Sequence, residues 1–155
     1  MIRTDNKLLS EIVLQAKQSQ RKRMNFNFHR NNDAILQRML NALEPESYIR
    51  PHKHVNPDKN EVFVVLQGKL LLVEFDDEGA ICETVVLDSN LGNHAVEIPP
   101  NRFHTIISLE SGSVAFEFKE GPYDVATDKV FASWAPEEGG EGAQLFLRTI
   151  LDKTL

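Results

Sequence analysis

In the stretch PHKHVNPDKNEVFVVLQG, residues 51–68, two of the chain's five histidines, His52 and His54, stand one residue apart. In an extended segment alternate side chains share a face. Both imidazoles would then point the same way, about 7 Å apart, with Lys53 on the other side. Glu61 opens the next apolar run, across the turn VNPDKN, and could add a carboxylate oxygen. His104 follows a Pro-Pro-Asn turn in EIPPNRFHTI and opens another strand-like run. Imidazole nitrogens and a carboxylate oxygen together suit a divalent transition metal. The histidine pair alone could equally be a solvated strand edge. The pair followed by a glutamate, and by a histidine at a later strand start, favours a metal site. The same parity places Tyr48 and Arg50 on the histidine face. Arg50 could grip a phosphate or carboxylate of a substrate, or make only a surface pair. Lys59, in the turn before Glu61, reads as a substrate contact or as a solvated turn lysine. His29 and His94 lie in turn-rich segments and read as surface histidines.

These side chains need strands to hold them. Residues 4–18 read as an amphipathic helix with Leu8, Leu9, Ile12, Val13 and Ala16 on one face and Thr4 or Asp5 as its cap. The polar stretch RKRMNFNFHRNND reads as a connector. From Ile35 to Glu120 about eight strand-length runs alternate with short turns, the pattern of an all-β sandwich or barrel. Several runs are apolar on both faces, which requires cover outside as well as a core inside. After Gly121 the chain turns irregular. There Trp134, Glu137 and Glu138 could form a lid, or Trp134 could pack against the N-terminal helix. Residues 143–151 read as a short helix. The expected organisation is one domain: helix and connector over 1–34, barrel over 35–120, extension over 121–155.

Composition excludes several classes. The net charge is −6 with no basic stripe, which argues against nucleic-acid binding. The short cluster Arg21, Lys22, Arg23 is a solvated face or an anion contact. The single cysteine, Cys82, sits in the apolar run AICETVVL and reads as a small core residue, as in a reducing cytosol. No apolar run is long enough to span a membrane, and MIRTDNKLLSEI lacks the apolar stretch of a signal peptide, so a cytoplasmic location is expected. There is no Ser-His-Asp order, phosphate-cradling glycine loop or Cys-x-x-Cys pair, against hydrolase triads, nucleotide kinases and thiol redox enzymes.

The stretch His52-Lys53-His54, Glu61, Gly68 resembles the first cupin motif, and Gly92, Pro99, Pro100, Asn101, His104 resembles the second. Glu61 falls two or three residues later than in the motif, so the turn is longer. Asn101 stands where the motif has glycine and tolerates the same positive φ. Ser108 stands where it has asparagine. At a finer level YIRPHKH and the trailing WAPEE resemble the WbuC-type cupin-fold metalloproteins, found in surface-polysaccharide gene clusters. The resemblance implies a single cupin double-stranded β-helix barrel, jelly-roll-like, with an N-terminal helix and a short C-terminal helical extension. It implies His52, His54, Glu61 and His104 as ligands of one divalent transition metal, with Fe, Zn, Mn, Ni and Co all compatible. The expectation is a homodimeric metalloenzyme acting on a sugar or sugar-derived small molecule by isomerisation or epimerisation, with Tyr48 or Lys59 as candidate base. The alternatives are an Fe(II)-dependent dioxygenase and a non-catalytic, metal-dependent binding module.

Overall fold

The computed structural model describes residues 1–155. Helix α1 (Asn6–Gln18) starts where the Asp5 carboxylate accepts the Leu8 amide at 3.0 Å, satisfying one of the first-turn donors. Ten strands follow: β1 (Arg23–Asn27), β2 (Leu36–Leu43), β3 (His52–Lys53), β4 (Glu61–Gln67), β5 (Lys69–Phe75), β6 (Ile81–Asp88), β7 (Ala95–Ile98), β8 (Phe103–Ser108), β9 (Ser113–Glu120) and β10 (Val130–Phe131). Helix α2 (Ala143–Thr154) ends the chain, three residues longer than its apolar spacing predicts.

The strands form two five-stranded sheets, β1-β2-β9-β4-β7 and β10-β3-β8-β5-β6, antiparallel throughout. Sequence neighbours β4 and β5 lie in different sheets, so the chain crosses the barrel at Gly68. Its φ is +74°, and a Cβ there would collide with Ser113. The result is a jelly-roll barrel with a helix at each end of the chain.

Three apolar clusters hold the layers. Between the sheets lie Leu43, Phe63, Leu70, Leu72, Leu87 and Ile106 with their neighbours. Outside one sheet α1 sets Leu9, Ile12 and Ala16 on Leu40, Ala42 and Val114. Outside the other, α2 sets Ala143, Leu147 and Ile150 in the cluster that holds Leu71, Val73, Phe75, Phe103 and Ile107. Part of the outside cover that two-sided apolar strands require is thus supplied by the chain's own helices.

Four details differ from expectation. The connector contains β1, which pairs with β2 from Arg23↔Leu43 to Asn27↔Met39. Cys82 is exposed, because it lies on the outward side of the sheet-edge strand β6. Trp134 packs on Phe75, Phe103 and Phe146 of the α2 side rather than on α1, and its indole N–H donates to Asp77 O at 3.0 Å. The segment before His52 is not a strand: β3 is two residues long. No helix is long and apolar enough to cross a membrane.

Truncating Ile12, 2% exposed beneath α1, removes buried methylenes and leaves a cavity. Ile12→Ala is expected to lower the urea-unfolding free energy by about 2–5 kcal/mol. Metal stoichiometry should stay at the parent value, since α1 packs on the outside of the barrel.

Candidate metal centre

His52 and His104 face each other directly across the β3–β8 pair. His54 follows His52 on the same side, while Lys53 turns outward to Asp77 at 2.9 Å. Glu61 begins β4 and comes from the opposite sheet. One ligand atom from each of the four lies within 4.8 Å of all the others, and all four residues are buried. Ring centroids are 4.7 Å apart for His52–His104, 5.2 Å for His52–His54 and 5.7 Å for His54–His104.

The other face of each ring sets its tautomer. Each Nδ1 meets a backbone carbonyl: His52 that of Arg50 at 3.0 Å, His104 that of Arg102 at 2.9 Å, and His54 that of Asp128. A carbonyl only accepts, so each Nδ1 carries the proton and each Nε2 presents a lone pair inward. Glu61 Oε2 lies 3.0 Å from His104 Nε2 and 3.4 Å from His54 Nε2. The His54 Nε2 atom is buried and makes no hydrogen bond. An orphaned buried acceptor is costly, and a group of inward-facing acceptors calls for a cation. Three imidazoles and one carboxylate, their tautomers already fixed, fit a divalent transition metal.

Charge around the group is strongly biased. Burial, with the charges of Lys129 and His104 adding to it, holds the His52 imidazole well below its ordinary range, in the neutral form a ligand needs. Burial would raise Glu61, but its close contacts with the His104 and His54 rings outweigh burial and hold its carboxyl well below the usual range. Glu117, beside Glu61 on β9, is pushed up to about 8 by burial and by the Glu61 charge, and Asn41 donates to it.

Behind His54 lies a buried ion cluster. Lys59 Nζ is 2.7 Å from Asp128 Oδ1, and Lys119 Nζ is 2.7 Å from Asp128 Oδ2. The same Asp128 supplies the carbonyl that orients His54. Lys59 is 2% exposed and also donates to Pro122 O, so it is neither a solvated turn lysine nor a group facing the site.

A cavity of about 420 Å³ opens onto the cluster. His52, Glu61 and His104 line it, with Glu117, Lys129, Phe131 and Tyr123. Arg50 lines it too, but its guanidinium is clamped: Nε and Nη2 donate to Ala132 O at 3.2 and 2.8 Å. Arg21 and Arg23 of the basic cluster reach the rim, where Glu138 pairs with both at 3.6 and 2.5 Å. Glu137 and Glu138 thus edge the cavity while Trp134 packs elsewhere. Tyr48, expected on the histidine face, does not line the cavity. Strand parity does not extend back to it, because residues 44–51 lie outside β3. Its hydroxyl, pushed up to about 12 mainly by burial, donates to Pro136 O at 2.8 Å and cannot serve as a base. Asn101 does take positive φ, +61°. His29 instead bridges to the backbone of Arg38 at 3.1 Å, and His94 is exposed.

Two outcomes follow. His52→Ala and His104→Ala should each lower bound metal by at least about tenfold by elemental analysis, with the far-ultraviolet spectrum of the barrel retained. Asp128→Ala strands two buried ammonium groups and should cost about 3–5 kcal/mol in chemical unfolding.

Among solved structures the fold matches KdgF from Halomonas sp. at 18% identity and TM-score 0.51, over 67% of this chain and 82% of that one. It matches L-ribose isomerase of Cellulomonas parahominis, solved with L-psicose, at 12% identity and TM-score 0.56, over 72% and 70%. It matches the capsular polysaccharide assembling protein CapF of Staphylococcus aureus at 24% identity and TM-score 0.55, over 69% of this chain and 28% of that one, so the likeness spans under a third of CapF. At these identities the likeness concerns the fold alone, a single cupin-type jelly-roll barrel. No curated protein matches. The family model described as "Domain of unknown function (DUF6016)" matches residues 4–87, more than half of the sequence, and the chain therefore belongs to that family.

Proposed function

We propose that the protein is a metal-dependent enzyme of the isomerase or epimerase kind, acting on a sugar or sugar-derived small molecule. The observation that carries this reading is the coincidence of the four-ligand group with the cavity: three of the four ligands form part of its wall. The volume, about 420 Å³, is within the range of small-molecule sites. The resemblance to WbuC-type proteins supports a role in surface-polysaccharide synthesis. The name of one fold relative, a capsular polysaccharide assembling protein, agrees with that role, and the name of another, an L-ribose isomerase, agrees with the reaction class.

A bound divalent cation supplies Lewis-acid polarisation of a carbonyl or hydroxyl. The chain's own residues supply the rest. Glu61 is committed as a ligand. Tyr48 and Lys59 are both engaged away from the cavity, so neither moves the proton. Glu117 is the carboxyl that lines the cavity beside Glu61, held by the Asn41 amide. It takes the proton from the carbon next to the carbonyl and returns it to the carbonyl carbon, while the proton of the adjacent hydroxyl passes to the former carbonyl oxygen. The aldose–ketose exchange thus balances without an oxidant; epimerisation would need return on the opposite face of the carbon. Leu43, Phe63 and Ile106 give the wall its apolar part, against which a sugar's C–H faces can pack and from which water is displaced.

The test is deuterium wash-in. Protein purified without added metal is analysed for elements, loaded to one equivalent, and incubated in D2O with aldoses, ketoses and nucleotide sugars. Exchange at a carbon next to the carbonyl is expected, and Glu117→Gln should slow it at least about a hundredfold while keeping its metal. No exchange on any sugar by fully loaded protein would defeat the reading. Oxygen uptake with iron alone would favour the dioxygenase alternative, since the same donor set suits Fe(II). Saturable binding without product under every metal would leave a binding module.

A further inference from the structure

The charges around the cavity divide into those already spent and one that is not. Arg23 is bound through Nη1 to Tyr48 O at 3.0 Å and through Nη2 to Glu138. Arg21 lies against Glu138 and is mostly exposed. Arg50 is clamped on Ala132 O, with Nη1 3.8 Å from Glu137. Lys59 and Lys119 share Asp128. Lys129 lines the cavity and makes no salt bridge or side-chain hydrogen bond within the protein, standing only in the longer-range field of Glu61, Glu117 and Asp128. Tyr123 lines the same cavity, and its hydroxyl makes no hydrogen bond within the protein.

Both groups are held in place by their backbones. Tyr123 N donates to Asn32 O at 2.8 Å, and Lys119 Nζ lies 5.6 Å over its ring. Lys129 follows Asp128, whose carboxylate is fixed between two lysines, and precedes Val130, which pairs with Lys53 in the β10–β3 ladder. The segment thus places an unpaired lysine and an unpaired phenol on the wall of one cavity. A partly desolvated cation without an ion pair gains most from an incoming anion.

We infer that Lys129 and Tyr123 form an anion subsite in the cavity over the four-ligand group, so that the small molecule taken there carries a carboxylate or a phosphate. This rests on the reading of the cavity as a sugar site and narrows it to acidic or phosphorylated sugars. The carboxylates at the rim do not oppose the anion, because Glu137 and Glu138 are paired with arginines. The role expected of Arg50 thereby falls to Lys129, with the arginine held on Ala132 O as a strut.

The test uses zinc-loaded protein and three probes of one skeleton: glucose, glucuronate and glucose 6-phosphate, titrated calorimetrically at low salt. At least one anion should bind about tenfold or more tightly than glucose. That advantage should shrink with added salt. Lys129→Met should remove it while zinc stoichiometry stays at the parent value, and Tyr123→Phe should weaken it severalfold. Which anion wins separates carboxylate from phosphate. Equal binding of the three probes, no binding by any, or a preference that survives in Lys129→Met would overturn the subsite. The readout is binding, so failure of sugar turnover leaves it standing. Deuterium exchange on neutral sugars without anion preference would refute it and leave the enzyme reading intact.

Discussion

Three imidazole lone pairs and a carboxylate face one another inside the barrel with too few protons between them. In a dry interior such acceptors repel, and His54 Nε2 has no partner at all. The surrounding architecture answers to this constraint. Arg50 and Arg102, each two residues before a histidine, turn their carbonyls back to fix the tautomers of His52 and His104. His54 has no such local help and needs Asp128, so residues 122–128 must fold over the barrel mouth. Glu61 arrives from the other sheet, so the group closes only when both sheets are in register.

Charge is distributed in three tiers. The deepest is the Lys59–Asp128–Lys119 cluster, which is structural: burial would lower Lys119, yet the charges of Glu61, Glu117 and Asp128 outweigh it and hold the ammonium above its ordinary range. The outermost is the rim, where Arg23–Glu138 and Arg50–Glu137 pairs meet solvent and set the shape of the opening. Between them lie Glu117 and Lys129, one carboxyl and one ammonium without a mutual ion pair, both facing the cavity. The middle tier alone combines burial with freedom from ion pairing, and Glu117 keeps only the Asn41 amide and its neighbour Glu61 as partners.

Much of this was legible in the sequence. The His-x-His spacing, the glutamate at a strand start and the histidine after Pro-Pro-Asn correspond to residues that the fold brings together, and Asp5 caps α1 as its residue type predicts. Tyr48 failed because parity arguments assume a strand, and β3 is too short to carry the alternation back four residues. Lys59 misled because composition marks a turn lysine as solvated, whereas its partner Asp128 lies far along the chain. Glu117 and Lys119 left a readable trace that went unused. In SVAFEFKE the aromatics Phe116 and Phe118 stack with each other toward the outside, at 4.5 Å, while the charged residues turn inward. A strand whose charges occupy the core face is inverted, and an inverted strand in a barrel marks a polar interior. Asp128 and Lys129 carried no comparable signal, since an irregular segment has no periodicity to violate.

Asp128 sits five residues after Tyr123 and immediately before Lys129. Its carbonyl holds His54, its carboxylate is gripped by two lysines, and its neighbours look into the cavity. The stretch that would greet an incoming molecule is therefore also the stretch that sets the angle and tautomer of a ligand. Tension on one end is felt at the other with a single peptide bond in between. The loop therefore joins, within a few residues, the wall of the pocket and the support of one of its four inward-facing donors.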